Sequence, residues 1–202
     1  MMLQDGTHPG LLPILGFAVS MAMTPGPNNA MAAASGASFG LRATLPQIAG
    51  VAIGMASLVL AAALGAAVLL TAYPGALLVL RYLSFGYLLW LAWCLARAEP
   101  AMAGGGSEVA GSPLGFAGAA LFQWVNPKAW LAAGSGAVAY GADAAVILAL
   151  VFLGVSMVST LAWTLVGLGA ARILRSRRRI RMFNVLMASL LIASMLPVIL
   201  GR

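Results

Sequence analysis

Six stretches of this chain run for about 20 residues or more with at most one charged side chain, the length a helix needs to cross the ~30 Å hydrocarbon core of a bilayer. Leu11–Ala34, Ile48–Ala72, Ala144–Ala171 and Met182–Gly201 carry no charge, Leu77–Ala96 carries only Arg81, and Pro113–Ala139 carries only Lys128. A globule of 202 residues buries roughly two-thirds of its surface, too little to hide a chain that is 62% hydrophobic and 7% charged. Soluble domains average about 45–50% apolar and about 25% charged residues. The composition therefore excludes a soluble enzyme, a nucleic-acid-binding domain and a disordered chain. It calls for an all-α integral membrane protein, with residues 1–202 as one transmembrane domain.

Charge placement sets the expected orientation. Six of the eleven basic residues fall between Arg172 and Arg181, so the net charge of +7 belongs mainly to one connection. Lys and Arg accumulate on the cytoplasmic side of a membrane. With six spans, the connections after the first, third and fifth share a side and hold Arg42, Arg97 and the Arg172–Arg181 group. Only Arg81 and Arg202 fall on the other side, so both termini are expected in the periplasm, and the arginine connection is expected against anionic lipid. A signal peptide is disfavoured for the first stretch, because its first basic residue is Arg42 and Asp5 is the only charge before it.

A glycine-rich segment at 98–112 divides the chain into a first half, about residues 10–97, and a second, about 113–202. Sliding the chain by 100 positions superposes Pro27 on Pro127 and Ala32, Ala33, Ser35, Gly36 and Ala37 on Ala132, Ala133, Ser135, Gly136 and Ala137. Three spans per half is an odd number, so the halves are expected to insert with opposite orientation, as two inverted three-helix repeats. Inverted repeats with broken helices at matching positions point to a secondary transporter with its site at the bilayer midplane.

Both breaks are legible. Pro25-Gly26-Pro27 interrupts the first span and Pro127 the fourth, and each proline removes a helix hydrogen bond. In lipid, freed backbone groups survive only where protein or a wet cavity satisfies them. Polar residues flank both breaks: Asn28 and Asn29 at the first, Gln123, Asn126 and Lys128 at the second. These five are the candidate substrate-binding residues. Each amide has a plainer alternative role, re-satisfying the broken backbone. Lys128, ionisable in mid-span, either meets a substrate carboxylate, snorkels, or caps a carbonyl freed at Pro127. The half-helices that begin at the breaks present free N–H groups to an anion.

Absences shape the rest. Asp5, Glu99, Glu108 and Asp143 lie at expected loops or ends, His8 precedes the first span, and Cys94 is the single cysteine. No metal site, cofactor or catalytic constellation is expected, and no nucleic acid partner; a homo-oligomer is left open. The competing reading is a membrane scaffold or accessory subunit that moves nothing and holds partners through its arginine connection. Unlike a transporter, it needs no polar cavity at the breaks.

One set of motifs resembles a known family. It comprises Pro25-Gly26-Pro27-Asn28-Asn29, Ser35-Gly36 with Phe39-Gly40 and Arg42, and Gly50 with Gly54. It continues through Gly86–Trp93 and closes with Phe122–Trp130. Together they resemble the LysE/RhtB translocators, bacterial inner-membrane exporters of amino acids. The resemblance implies export of a small amino acid or derivative from the cytoplasm, driven by the proton gradient. The segments around Pro25–Ser35 and Gln123–Trp130 are most similar to exporters of cysteine and O-acetylserine. Met55 stands where the basic-amino-acid branch tends to carry Asp, which argues against lysine or arginine as substrate.

Overall fold

The computed structural model describes residues 10–98, 112–174 and 176–193, and among them every regular element is helical. The elements are α1 (Leu11–Met23), α2 (Pro27–Ala61), α3 (Ala67–Ala72), α4 (Pro74–Arg97), α5 (Phe116–Val125), α6 (Pro127–Tyr140), α7 (Ala145–Leu174) and α8 (Arg177–Ala193). A π-helical turn at Ala62–Ala66 joins α2 to α3, and a 3₁₀ turn at Ala142–Ala144 leads into α7. Pro27, Pro74 and Pro127 each stand in the first turn of a helix, where a missing N–H costs nothing. Two helical stretches, Pro27–Ala66 and Ala142–Leu174, are long and apolar enough to cross a membrane.

Two connections are tighter than the charge pattern implies. In place of a loop around 35–45, α2 runs on with one kink at Gly40, where φ is 78° and ψ is 174°. That left-handed backbone favours glycine and breaks the hydrogen-bond ladder without adding a residue. Gly141 repeats it between α6 and α7, at φ 74° and ψ 174°. The expected loop at 172–181 is mostly helix: Arg172 lies in the last turn of α7, and Arg177, Arg178, Arg179 and Arg181 lie in α8. Arginine is a good helix former, so both helices reach into the charged run, α7 as far as Leu174 and α8 from Arg177. The linker falls mostly outside the described residues, as do both termini.

The two halves follow one order: a short helix (α1 or α5), a proline break, a second helix, a glycine near φ +75°, a long helix and a final helix. Their packing is reciprocal. Here α1 and α2 lie on α7, while α5 lies on α2, α6 on the π-helical turn, and α4 on α8. Small residues make the crossings possible. A Cβ on Gly36 would lie 2.1 Å from the Thr164 carbonyl oxygen, and one on Gly167 would lie 1.7 Å from that of Ala33. Beyond the Gly40 kink, a Cβ on Gly50 would lie 2.2 Å from the Phe116 oxygen and one on Gly54 2.5 Å from that of Ala120. Backbone-to-backbone approach of this kind is how helices associate where lipid removes the hydrophobic drive. These crossings bring the two breaks to the middle of the bundle.

Candidate functional site

Each break follows from the residue preceding a proline, which is pushed out of the α region. Thr24 before Pro25 has ψ 128°, Gly26 before Pro27 is fully extended (φ −175°, ψ −174°), and Asn126 before Pro127 has ψ 110°. So α1 stops at Met23 and α2 starts at Pro27, while α5 stops at Val125 and α6 starts at Pro127.

The carbonyls freed at the end of α1 are taken up by side chains from three other helices. Asn29 Nδ2 donates to the Ala22 oxygen at 3.1 Å and to the Thr24 oxygen at 2.9 Å. Ser159 Oγ on α7 donates to the Ala22 oxygen at 2.8 Å. The Lys128 ammonium, from α6, donates to the Thr24 oxygen and reaches the Pro25 oxygen at 3.4 Å. A cation at a helix C-terminus also meets the negative end of the macrodipole. Lys128 thus caps the carbonyls freed at the first break, not one freed at Pro127 as the sequence suggested. The second break is closed locally: Asn126 Oδ1 accepts from the Lys128 backbone N–H at 3.1 Å, and Trp130 Nε1 donates to the Trp124 oxygen at 2.7 Å.

A reciprocal amide pair ties the two breaks together. Asn28 Nδ2 donates to Gln123 Oε1 at 2.7 Å, and Gln123 Nε2 donates back to Asn28 Oδ1 at 3.0 Å. Gln123 Nε2 also reaches the Ala119 oxygen at 3.1 Å. In this conformation Asn28 and Gln123 spend their amides on each other.

The breaks flank a cavity of about 40 Å³, with Asn28, Asn29, Asn126 and Lys128 in its wall beside Ser156 and Phe152 of α7. One water needs about 10–15 Å³ in this measure, so the space holds roughly three. Among the described residues, three groups in this wall have no hydrogen-bond partner: Asn29 Oδ1, Asn126 Nδ2 and Ser156 Oγ. They supply acceptors, donors and a hydroxyl, beside a cation with one of its three N–H donors to spare. The arrangement offers groups complementary to both charges of a zwitterion; among the described residues it contains no His, Cys, Asp or Glu cluster fit for a metal.

All five candidate binding residues thus converge on one place, four of them in the cavity wall and Gln123 behind Asn28. Sequence reasoning missed the α7 face. Ser156, Ser159 and Thr160 are spaced i, i+3, i+4 and all line the cavity, and that spacing puts them on one side of a helix. A polar stripe in an otherwise apolar span was the available signal.

Comparison with known proteins agrees with the motif resemblance. The family model for LysE type translocators matches residues 19–198. A cysteine/O-acetylserine efflux protein of Klebsiella pneumoniae is 36% identical over 114 residues, which is 56% of this chain and 56% of that protein. Proteins of the same description from Salmonella paratyphi A and Escherichia coli K12 are each 33% identical over 107 residues, 53% of either chain. The aligned stretch thus spans about half the length of the curated relatives it matches. No solved structure matches. A match over residues 19–198, carried on a helical chain whose two broken helices meet at a polar cavity, places this membrane protein among the LysE type translocators, a transporter family and not an enzyme family.

Proposed function

We propose that this chain exports a small neutral amino acid or close derivative, of the cysteine, O-acetylserine, threonine or homoserine type, out of the bacterial cytoplasm. It does so as a six-span protein of two inverted three-helix repeats, exchanging substrate against the proton gradient by alternating access. The observation that carries this reading is the convergence of both helix breaks on one cavity whose wall holds unpartnered polar groups. A scaffold has no use for such a cavity. The names of the curated relatives support the substrate class, and the matched order and reciprocal packing of the halves support the inverted repeat.

In this reading the substrate carboxylate faces Asn126 Nδ2 and the third N–H of Lys128, near the start of α6. Its ammonium faces Asn29 Oδ1 and Ser156 Oγ. A cavity with room for about three waters is smaller than an amino acid, so the site widens on loading. Rocking one half against the other, with the Asn28–Gln123 pair opening, provides that movement. The arginines of α7 and α8 face the cytoplasm, where they meet anionic lipid and fix the orientation. The test is efflux from cells expressing the chain, loaded with a panel of labelled amino acids. Faster efflux of one or more small neutral members is expected. No acceleration for any member overturns the reading.

A further inference from the structure

A second, larger cavity lies along the same face of α2, away from the breaks. It measures about 600 Å³ and includes Met31, Ser35, Phe39, Trp93, Cys94 and Arg97 in its wall. Asn28, Met31, Ser35 and Phe39 are spaced by three, four and four residues, so they form one stripe along the helix, about 16 Å from first to last at 1.5 Å per residue. The stripe therefore leads from Phe39, in the wall of the larger cavity, to the amide of Asn28 at the central cavity. Between the two cavities stand the buried Met31 and, one turn on, the Asn28–Gln123 pair. Methionine is the core side chain that moves most readily aside.

This cavity lies at the basic end of the bundle. Asn184 Nδ2 donates to Ser38 Oγ at 2.8 Å and to the Ala98 oxygen at 3.3 Å. That joins the N-terminal half of α8, which carries the arginines, to the ends of α2's first segment and of α4. Arg97 is presented in a particular way: its guanidinium carbon stands 3.7 Å from the centroid of the Trp93 ring. Stacking through its face leaves the N–H edge of the guanidinium available for bidentate bonding to a carboxylate.

We propose that this cavity is the cytoplasmic antechamber of the transporter, in which Arg97, seated on Trp93, captures the carboxylate of the outgoing amino acid before Met31 and the Asn28–Gln123 pair admit it to the central site. This rests on the export reading above and adds to it a first binding station with its own residues. The occupant follows from charge and continuity: the wall offers one cation and two hydroxyls over an apolar floor, and its stripe ends at the transport site.

The chain carries its own probe, since Cys94 is its single cysteine, is exposed, and lines this cavity one turn from Arg97. The experiment labels Cys94 with a charged, membrane-impermeant maleimide in inside-out and right-side-out vesicles, with and without the amino acid that the efflux panel identifies. Labelling is expected in inside-out vesicles alone, and substrate at ten times its dissociation constant is expected to slow it about tenfold by occupying the site. In Arg97→Gln, the substrate concentration that gives half protection should rise about tenfold with the loss of a charge-assisted contact, while membrane abundance stays the same. Labelling from the outer face, a thiol that stays unlabelled from both faces, or export without protection of Cys94 would each overturn the antechamber and leave the export reading intact. Protection unchanged by Arg97→Gln removes Arg97 from the station. Absence of export by the unmodified chain is the separate failure of the export reading.

Discussion

Replacing Lys128 by Met separates its two roles. The substitution keeps the stem and removes the ammonium, so the Thr24 and Pro25 carbonyls lose a donor. The Thr24 oxygen retains Asn29 Nδ2 at 2.9 Å, and only the Pro25 oxygen, previously reached at 3.4 Å, is left without its contact. One unsatisfied carbonyl costs about 1–3 kcal/mol. Against this, a charge near the bilayer centre costs about 2.5–3.5 kcal/mol on insertion scales, and its removal returns that amount. The two nearly cancel, so Lys128→Met should match the parent in membrane abundance and melt within a few degrees of it in detergent. Its efflux should nevertheless fall to background, because the spare N–H that faces the cavity is gone. Abundance comes from quantitative immunoblotting, stability from a thermal melt, and transport from labelled-substrate efflux on the same cells. A variant that is abundant and still exports at the parent's rate would refute the binding role. One that is degraded or aggregated would refute the energetic argument, and would make Lys128 a structural cap.

Three further tests address separate parts of the account. Ser156→Ala removes a hydroxyl that bonds to nothing in the described structure, so stability should move by no more than about 0.5 kcal/mol while the KM for export rises; an unchanged KM would take Ser156 out of the site. Gly167→Ala places a Cβ 1.7 Å from the Ala33 oxygen, forcing α2 and α7 apart at a cost of about 1–3 kcal/mol, whereas Gly134→Ala, with nothing within 4 Å, should melt like the parent. Equal melting of the two variants would contradict the crossing. A periplasm-active reporter fused after Arg202 should be active and one inserted at 177–179 silent, and the reverse pattern would contradict the proposed orientation.

How far the sequence spoke for itself depends on the physics behind each feature. Pro25-Gly26-Pro27 and Pro127 marked both breaks because proline acts on its own neighbours, and the structure interrupts the helices at those places. The candidate residues Asn28, Asn29, Gln123, Asn126 and Lys128 followed, since polar groups beside a break in lipid either re-satisfy the backbone or face a ligand. What each of them bonds was not legible. The Asn28–Gln123 pairing and the reach of Lys128 to the opposite break depend on how the halves dock, a long-range property that local spacing does not encode. The stripe of Ser156, Ser159 and Thr160 is a weak signal, because hydroxyls in an apolar helix often bond back to its own backbone, as Thr160 does to the Ser156 oxygen at 2.7 Å. The kink at Gly40 was hidden for another reason: the expected connection was placed by charge and length, and a single glycine at positive φ turns the chain without needing a loop.

The central claim is that the cavity between the two breaks carries an amino acid across the membrane. The most direct test is purified protein in proteoliposomes, measuring movement of the labelled amino acid identified in cells, beside the variant Pro25→Ala/Pro27→Ala. Those two prolines hold the first helix open, and alanine at both restores a continuous helix through the site, withdrawing its free amides and carbonyls. The account predicts transport by the parent, dependent on an imposed pH gradient, and none by an equally well inserted double variant. A parent that moves no amino acid, or a double variant that moves it as fast as the parent, would contradict the account.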